Sequence, residues 1–468
     1  MDTVSGNTDT GTIPIPDVPM QEIVLPIDEL MARAAEKLKA EFFDGDTKIH
    51  RFPRDLRGIG GDNDRYIVPS VVAIGPYHHG SQHLQEMEEV KLAVAHYVCA
   101  GSGHTAAEVC DKMMFTAVGA ARGCYDADDP SVAELSDAEF AAMMFLDGCF
   151  LLQYIAGGGD HLVLENRMML SKGPSIERDI FLLENQIPWL VLETLMEFMA
   201  VDVRGFLVRM QDKFRPGEGK EKVPDESGGP PRRGVNAGAG DEYGGGGYKP
   251  PHLLGLHWFT QVGAMPPPAH MIRSYTGFVS TLKSSSAGEL AEIGVTLTPS
   301  TEPWFGDMAV RRRLLFGEMS LSPVFLNDIT ACWLVNIAAM EATTSTSRPI
   351  FDHSDDGYTV SSYLSMLAML MDREDDVQQM RAKHLLYSTF SDEQALRFFK
   401  GLAQHLRLGN RYYDTLAEIH SYKHNRSVRI FAHKFVYNNY RAIAAVLSVV
   451  GVLVSILKAL YSLKKPGA

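Results

Sequence analysis

Cysteine is scarce in this chain of 468 residues: Cys99, Cys110, Cys124, Cys149 and Cys332. The count is odd and no two form a C-x-x-C pair, which argues against a disulfide framework and against a zinc ribbon. Buried, reduced thiols are the expectation. Basic charge is also short, with 44 Lys+Arg against 58 Asp+Glu and a net charge of −14. An acidic chain binds a phosphate backbone poorly, so nucleic acid is not an expected partner. Catalytic signatures are missing too. There is no Walker A motif and no G-x-G-x-x-G after a strand. There is no G-x-S-x-G elbow and no H-E-x-x-H. No catalytic residue, cofactor or metal is therefore assigned. Residues 1–12 carry Asp2 and Asp9 where a signal peptide needs cations, and no apolar stretch follows, so none is expected. No repeat of solenoid period is present.

What is present is ordinary globular composition, 45% apolar and 22% charged, which excludes wholesale disorder. One long apolar run stands out. Ala442 to Leu457 reads AIAAVLSVVGVLVSIL, sixteen residues without a charge. As a helix it reaches about 24 Å, short of a hydrocarbon core of roughly 30 Å. Lys458 follows, and a lysine near a helix end can snorkel to the headgroups. With that, 442–463 reaches about 33 Å and spans. Tyr440 and Tyr461 fall where an interfacial aromatic belt lies. The rival reading is a buried core helix. The run is apolar on every side and lies at the end of the chain, which favours an anchor. Lys423, Arg426, Arg429, Lys434 and Arg441 precede it, whereas Lys464 and Lys465 follow. That asymmetry predicts a single-pass C-terminal anchor with the bulk in the cytosol. Asn425-Arg426-Ser427 is a glycosylation sequon that matters only in the opposite orientation.

Along the chain, residues 1–25 read as a disordered arm, and Ile27–Phe43 as an amphipathic helix. Residues 48–84 are irregular. Helical periodicity covers Glu86–Cys99, Asp137–Ile155 and Ile180–Met210. Within the last, one helix is expected to end near Gln186 and another to begin with Pro188 in its first turn. Residues 214–251, rich in Gly, Pro and charge, predict a disordered insert. Ala291–Leu297, Ala309–Leu315 and Pro323–Leu326 are β-like. Ile329–Met340, Val360–Met371, Asp392–Leu406 and Asn410–Arg441 are helical. The expected class is mainly α: a large helical body over 45–440 with a small β element, then a transmembrane helix over 442–463.

Three patterns hint weakly at ligands. His78, His79 and His83 form HHxxxH, but Gly75-Pro76 and Gly80-Ser81 place them in a turn, where polar histidines fix a loop. Asp352-His-Ser354-Asp-Asp356-Gly357 begins like a calcium loop, yet Tyr363 stands where a bidentate Glu is required. An acidic solvated loop is the plainer reading. The acidic string Asp372–Asp376 reads as a turn or helix surface.

Longer motifs carry a resemblance. Arg51-Phe52-Pro53 to Leu56 is followed by Tyr66-Ile67-Val68-Pro69 and then Ile74-Gly75-Pro76-Tyr77-His78-His79-Gly80. Next come Met87-Glu88 with Lys91, Phe145-Leu146-Asp147-Gly148-Cys149-Phe150, and Arg178-Asp179 to Leu183-Glu184-Asn185-Gln186-Ile187-Pro188. His252-Leu253-Leu254, Ser286–Leu290 with Gly294-Val295, and Asn336–Glu341 continue the order. In this sequence the chain resembles the plant DUF247 (UPF0481) family over about 45–465. It departs at Met340, where the family has Tyr, and at Asn439-Tyr440, where it has Pro-Trp. The resemblance implies a plant protein with a C-terminal apolar helix, and it supplies no catalytic residue set. Some grass members are associated with self-incompatibility loci as candidate recognition determinants. The expected function is accordingly recognition of an unidentified protein partner from a membrane anchor. The alternative is an enzyme with a site near the His78/His79 loop, using Glu88 or Asp147.

Read residue by residue, these motifs suit architecture better than catalysis. Glu184, Asn185 and Gln186 are expected to satisfy backbone groups freed by Pro188. Asp147 is expected to cap or pair within its own helix. Gly148 permits close helix approach, and Met87 and Leu183 belong to the core.

Overall fold

The computed structural model describes residues 31, 49–57, 64–157, 168–215, 249–262, 285–302, 304–313, 316–344, 357–425 and 427–463. Apart from Met31 they fall in one compact unit, Thr47–Ala468. The expected arm 1–25, the helix Ile27–Phe43 other than Met31, residues 216–248 of the insert and Asp352–Asp356 lie outside the described residues.

The protein is mainly helical with two small sheets. Residues 49–57 and 64–84 form a non-helical strap with short 3-10 turns at Arg54–Leu56, Pro76–His78 and Gln82–Leu84. Helix α1 (Gln85–Ser102) then buries Met87, Lys91, Val94, Ala95 and Cys99 along one face, the spacing of a stripe three to four residues apart. It packs on α2 (Ala106–Met113) and on α3 (Asp137–Ile155). Helix α3 starts in a capping box: the Ser136 hydroxyl accepts from the Glu139 amide while Glu139 returns to the Ser136 amide. From there nearly every residue is buried, so α3 is a core helix with no polar face.

Helix α4 (Met168–Asp179) stops at Asp179 rather than near Gln186. The reason is local competition. The Asn185 amide donates to the Asp179 carbonyl, and the Gln186 amide to those of Ile180 and Leu182. Side chains that bond nearby backbone offer it an alternative to the helix. Pro188 directly precedes α5 (Trp189–Met196) as its N-cap residue. Helix α6 (Val203–Asp212) is capped by Asp202, and α7 (Leu253–Val262) follows. Both edges of the expected insert belong to the packed body: Phe214 is buried, and the Trp189 amide donates to the Pro251 carbonyl.

After a short helix, Ala287–Glu292, come β1 (Val295–Pro299), β2 (Ala309–Arg312) and β3 (Gly317–Leu321). Their order is β1-β3-β2, with β1 parallel and β2 antiparallel to β3. Strand β4 (Val324–Leu326) pairs in parallel with β5 (Leu386–Ser388). Helices α8 (Asp328–Thr344) and α9 (Thr359–Leu370) form the centre of the body, buried on every side over most of their length. Helix α10 (Glu374–Ala382) begins inside the acidic string. Its Asp376 is buried, not a solvated surface acid, and accepts from the amides of Asp372, Arg373 and Gly288. Helices α11 (Asp392–Ala403) and α12 (Asn410–Asn425) complete the body.

The expected helix Asn410–Arg441 is covered by α12 and the first part of the 37-residue α13 (Ser427–Leu463), on either side of Arg426, which lies outside the described residues. Two described helices are long and apolar enough to cross a membrane, α3 and the window Asn439–Leu460 of α13. Protein covers most of α3, whereas none of the α13 window is buried. Val446, Leu447, Val449, Val452 and Leu457 all face outward. An exposed apolar surface of this extent is consistent with a single C-terminal membrane span.

Candidate functional site

The motif residues gather where the strap crosses α1, α3 and the turn 180–188. At the centre lies a buried charge cluster. Lys91 has no exposed surface, and its Nζ lies 2.6 Å from both Asp147 Oδ1 and Glu88 Oε1. Burial opposes the Lys91 charge, but the two carboxylates outweigh it and hold the ammonium above its ordinary pKa. Contrary to the expectation from sequence, Asp147 does not pair within its own helix. It reaches across to α1, and its Oδ2 accepts from the Gly75 amide at 2.8 Å. Gly75 has φ +81°, and a Cβ there would stand 2.5 Å from the Gln186 carbonyl oxygen. Glycine is required on both counts.

Asn185 ties the strap to the turn. Its Oδ1 accepts from the Ile74 amide at 2.7 Å, and its Nδ2 donates to the Val72 carbonyl at 3.0 Å. Gln186 Oε1 accepts from the Leu254 amide at 2.9 Å. Asp179 accepts from the successive amides of Ser70, Val71 and Val72. Asn336, from α8, accepts from the Leu183 amide and donates to the Tyr66 carbonyl, both at 2.8 Å. An amide or carboxylate can satisfy several buried backbone groups that a strap lacking regular secondary structure leaves open.

Glu184 serves the outer edge. It accepts from the Phe52 amide at 2.7 Å and from Arg51 at 3.0 Å, with Arg57 at 3.3 Å. Arg51 also grips Asp129 and lies 4.0 Å over the Tyr77 ring. The Arg51 guanidinium holds Asp129 down to about 2. Tyr77 donates to the Ile49 carbonyl at 2.9 Å. His78 Nε2 lies 3.7 Å from Glu184. Burial pushes His78 down to about 4, against the pull of Glu184, so it is neutral near pH 7.

The structure therefore brings together Gly75, Glu88, Lys91 and Asp147, and separately His78 with Glu184. Pro76 and Tyr77 hold the strap's turn. His79 and Gly80 are exposed, and His83 Nε2 lies 3.1 Å from the Pro69 carbonyl oxygen. Among the described residues no group of three or more potential ligands is placed to hold a metal. Cys149 and Phe150 are fully buried in α3, and burial pushes the Cys149 thiol up. A Cβ on Gly148 would lie 2.3 Å from Leu195 Cδ1, so α3 and α5 approach closely there. Two cavities lie elsewhere, one around Leu92, Cys99 and Phe145 and one around Ala287, Val295 and Phe316. Neither is lined by His78, His79, Glu88 or Asp147.

Sequence reasoning gave no role to Asp179, Asn336 or Glu341, although each falls within a resemblance motif. Glu341 is buried and accepts from Trp258 Nε1, the amides of Val360 and Ser361, and the Ser361 hydroxyl. Burial pushes it up to about 7, against those hydrogen bonds. A lone acid or amide inside an otherwise apolar helix was the signal available for Asn336 and Glu341.

These features define a mainly helical protein with inward-bonded motif side chains and one exposed apolar C-terminal helix. The chain belongs to the DUF247 family, described as plant proteins of unknown function, whose profile matches residues 49–454. It is also similar to a UPF0481 protein of Arabidopsis thaliana, 29% identical over 180 residues, which are 36% of this chain and 34% of that relative. The chain thus spans about a third of that relative's length. No solved structure matches it.

Proposed function

We propose that the protein acts by protein–protein recognition from a membrane anchor, with its body on the cytosolic side. Motif residues from Gly75 to Gly80, Glu88 and Lys91, Asp147 to Phe150, and Glu184 to Gln186 with Pro188 serve the architecture that presents the recognising surface. The observation that carries this reading is the apolar window Asn439–Leu460, none of which is buried, on a body whose own apolar residues are mostly packed inside. The inward hydrogen bonds of Asp147, Glu184, Asn185 and Gln186 support the architectural role. The resemblance makes self-incompatibility or related signalling the first setting to test. A catalytic reading of the His78/His79 loop requires His78 and His79 to share one open site with Glu88 or Asp147; those two acids meet at the buried Lys91, whereas His78 lies beside Glu184 and His79 is exposed.

Fractionation tests the anchor. The full-length protein is expected in the membrane pellet, resistant to carbonate and released by detergent, and a chain lacking 441–468 in the supernatant. A carbonate-soluble full-length chain would overturn it. Asn425 reports the orientation, because it is exposed and lies well ahead of residue 442 in the chain. A cytosolic body leaves Asn425 unglycosylated. A glycan lost in N425Q reverses the orientation.

A further inference from the structure

The last acidic residue of the chain is Glu418, and its carboxylate is engaged by the Val310 amide at 2.8 Å. Eight of the 44 Lys+Arg follow it. The charged side chains that follow Glu418 are thus all basic in an otherwise acidic sequence, and five of those cations run from Lys423 to Arg441, at the entry to the apolar window.

The backbone of helix α13 sets the depth of three of these positions along its axis. Its 37 residues are unbroken from Ser427 to Leu463, about 55 Å at 1.5 Å per residue. The hydrocarbon core occupies roughly 30 Å of that length. The rest lies outside the hydrocarbon on the same rigid rod. Arg441 sits at the start of the Asn439–Leu460 window. Lys434 and Arg429 lie about 8 and 15 Å before Asn439 along the axis. Headgroups extend several ångströms beyond the hydrocarbon, and a charge acts across about 8 Å of physiological salt. All three helix positions thus fall within electrostatic reach of one leaflet's headgroups. Tyr440 and Arg441 are both exposed, with the Arg441 Nε donating to the Tyr440 hydroxyl at 3.0 Å. An aromatic and a cation at the edge of an apolar window are the pairing that the headgroup level favours.

We propose that Arg429, Lys434 and Arg441 form a collar that binds anionic phospholipid headgroups in the leaflet adjoining the body. The inference rests on the membrane-anchor reading above and adds its lipid partner. Juxtamembrane cations each raise the affinity for an anionic surface several-fold. The collar also offsets the repulsion that such a leaflet exerts on an acidic body.

The test uses the full-length protein reconstituted in phosphatidylcholine bilayers with trace spin-labelled phosphatidylserine or spin-labelled phosphatidylcholine. Electron paramagnetic resonance reads the fraction of each label immobilised at the protein. The expected result is a preference for phosphatidylserine of about threefold or more, which shrinks in high salt. It falls to parity in R429Q/K434Q/R441Q while immobilised phosphatidylcholine persists. R429Q and K434Q alone, both outside the window, each lower it part of the way. Equal immobilisation of the two lipids by the unmodified protein overturns the collar and leaves the anchor standing. No immobilised lipid of either kind removes the anchor itself, and the collar with it.

Discussion

Lys91 of α1 and Asp147 of α3 meet at 2.6 Å in the core, and neither side chain has more than a trace of exposed surface. Fifty-six positions separate them in the chain, yet together they hold the strap through the Gly75 amide. A buried ion pair adds little when compared with a well-packed apolar pair, but breaking one side leaves an uncompensated charge. K91M is therefore expected to destabilise the protein by about 3–5 kcal/mol. K91M/D147L recovers part of this and not all, because Gly75 then lacks an acceptor. Denaturant unfolding of the four members of the cycle checks it, and a double variant no better than K91M would contradict the pairing.

Two glycines separate backbone strain from packing. G75A meets both a positive φ and a carbonyl oxygen at 2.5 Å, and neither can yield easily. G148A meets only the terminal methyl of Leu195 at 2.3 Å, which can rotate. The expected cost of G148A is about 1–3 kcal/mol. G75A costs more and sharply lowers the yield of folded protein. Thermal unfolding of the two purified variants ranks them, and the reverse order would refute the argument.

His257 imposes an acid limit. Its ring lies 4.4 Å from Phe181, 5.7 Å from Phe214 and 5.5 Å from Trp333 between centroids. Both ring nitrogens lack a hydrogen-bond partner among the described residues. Burial pushes its pKa from 6.5 down to about 3. In the unfolded chain the ring protonates first, so its stabilising contribution is complete above about pH 6.5 and is lost as pH falls toward 3. Melting temperatures of the unmodified protein and H257F, compared from pH 7 to 4.5, should diverge in slope, with H257F the less sensitive. Parallel slopes would remove His257 as the cause.

Glu341 runs the opposite way. Its pKa rises from 4.5 to about 7 because burial outweighs four accepted hydrogen bonds. The folded state then holds the proton more tightly than the unfolded chain does. The contribution is complete below about pH 4.5 and is lost as pH climbs through 7. E341Q cannot titrate. The stability difference between the unmodified protein and E341Q should therefore shift against the unmodified protein between pH 4.5 and 8. A constant difference would show that the hydrogen bonds win and Glu341 is ionised throughout.

Much of the fold was legible because helix signals are local. Asp137–Ile155 was read to the residue, since strongly apolar, helix-forming residues fill it. The apolar C-terminal run was equally plain, because length and lack of charge alone decide whether a helix can span. Strands β3 and β5 went unread. They are only five and three residues long, and a strand that short is defined by its partner, not by its own pattern.

What the sequence by itself determined is where several of the long helices lie, among them α1, α3, α8, α9 and α11, which motifs carry the resemblance, and that one apolar segment is long enough for a bilayer. These follow from periodicity, capping and composition within a few turns of chain. Only the tertiary structure decided which side chains meet. It placed Asp147 against Lys91 instead of inside its own turn, ended α4 at Asp179 by turning Asn185 and Gln186 back on the carbonyls of Asp179, Ile180 and Leu182, and covered most of α3 while leaving the Asn439–Leu460 window of α13 unburied. The physical reason is that hydrogen bonds and burial between distant segments depend on the packing of the whole chain. The charge of a carboxylate is visible in a sequence, but its partner is chosen in space.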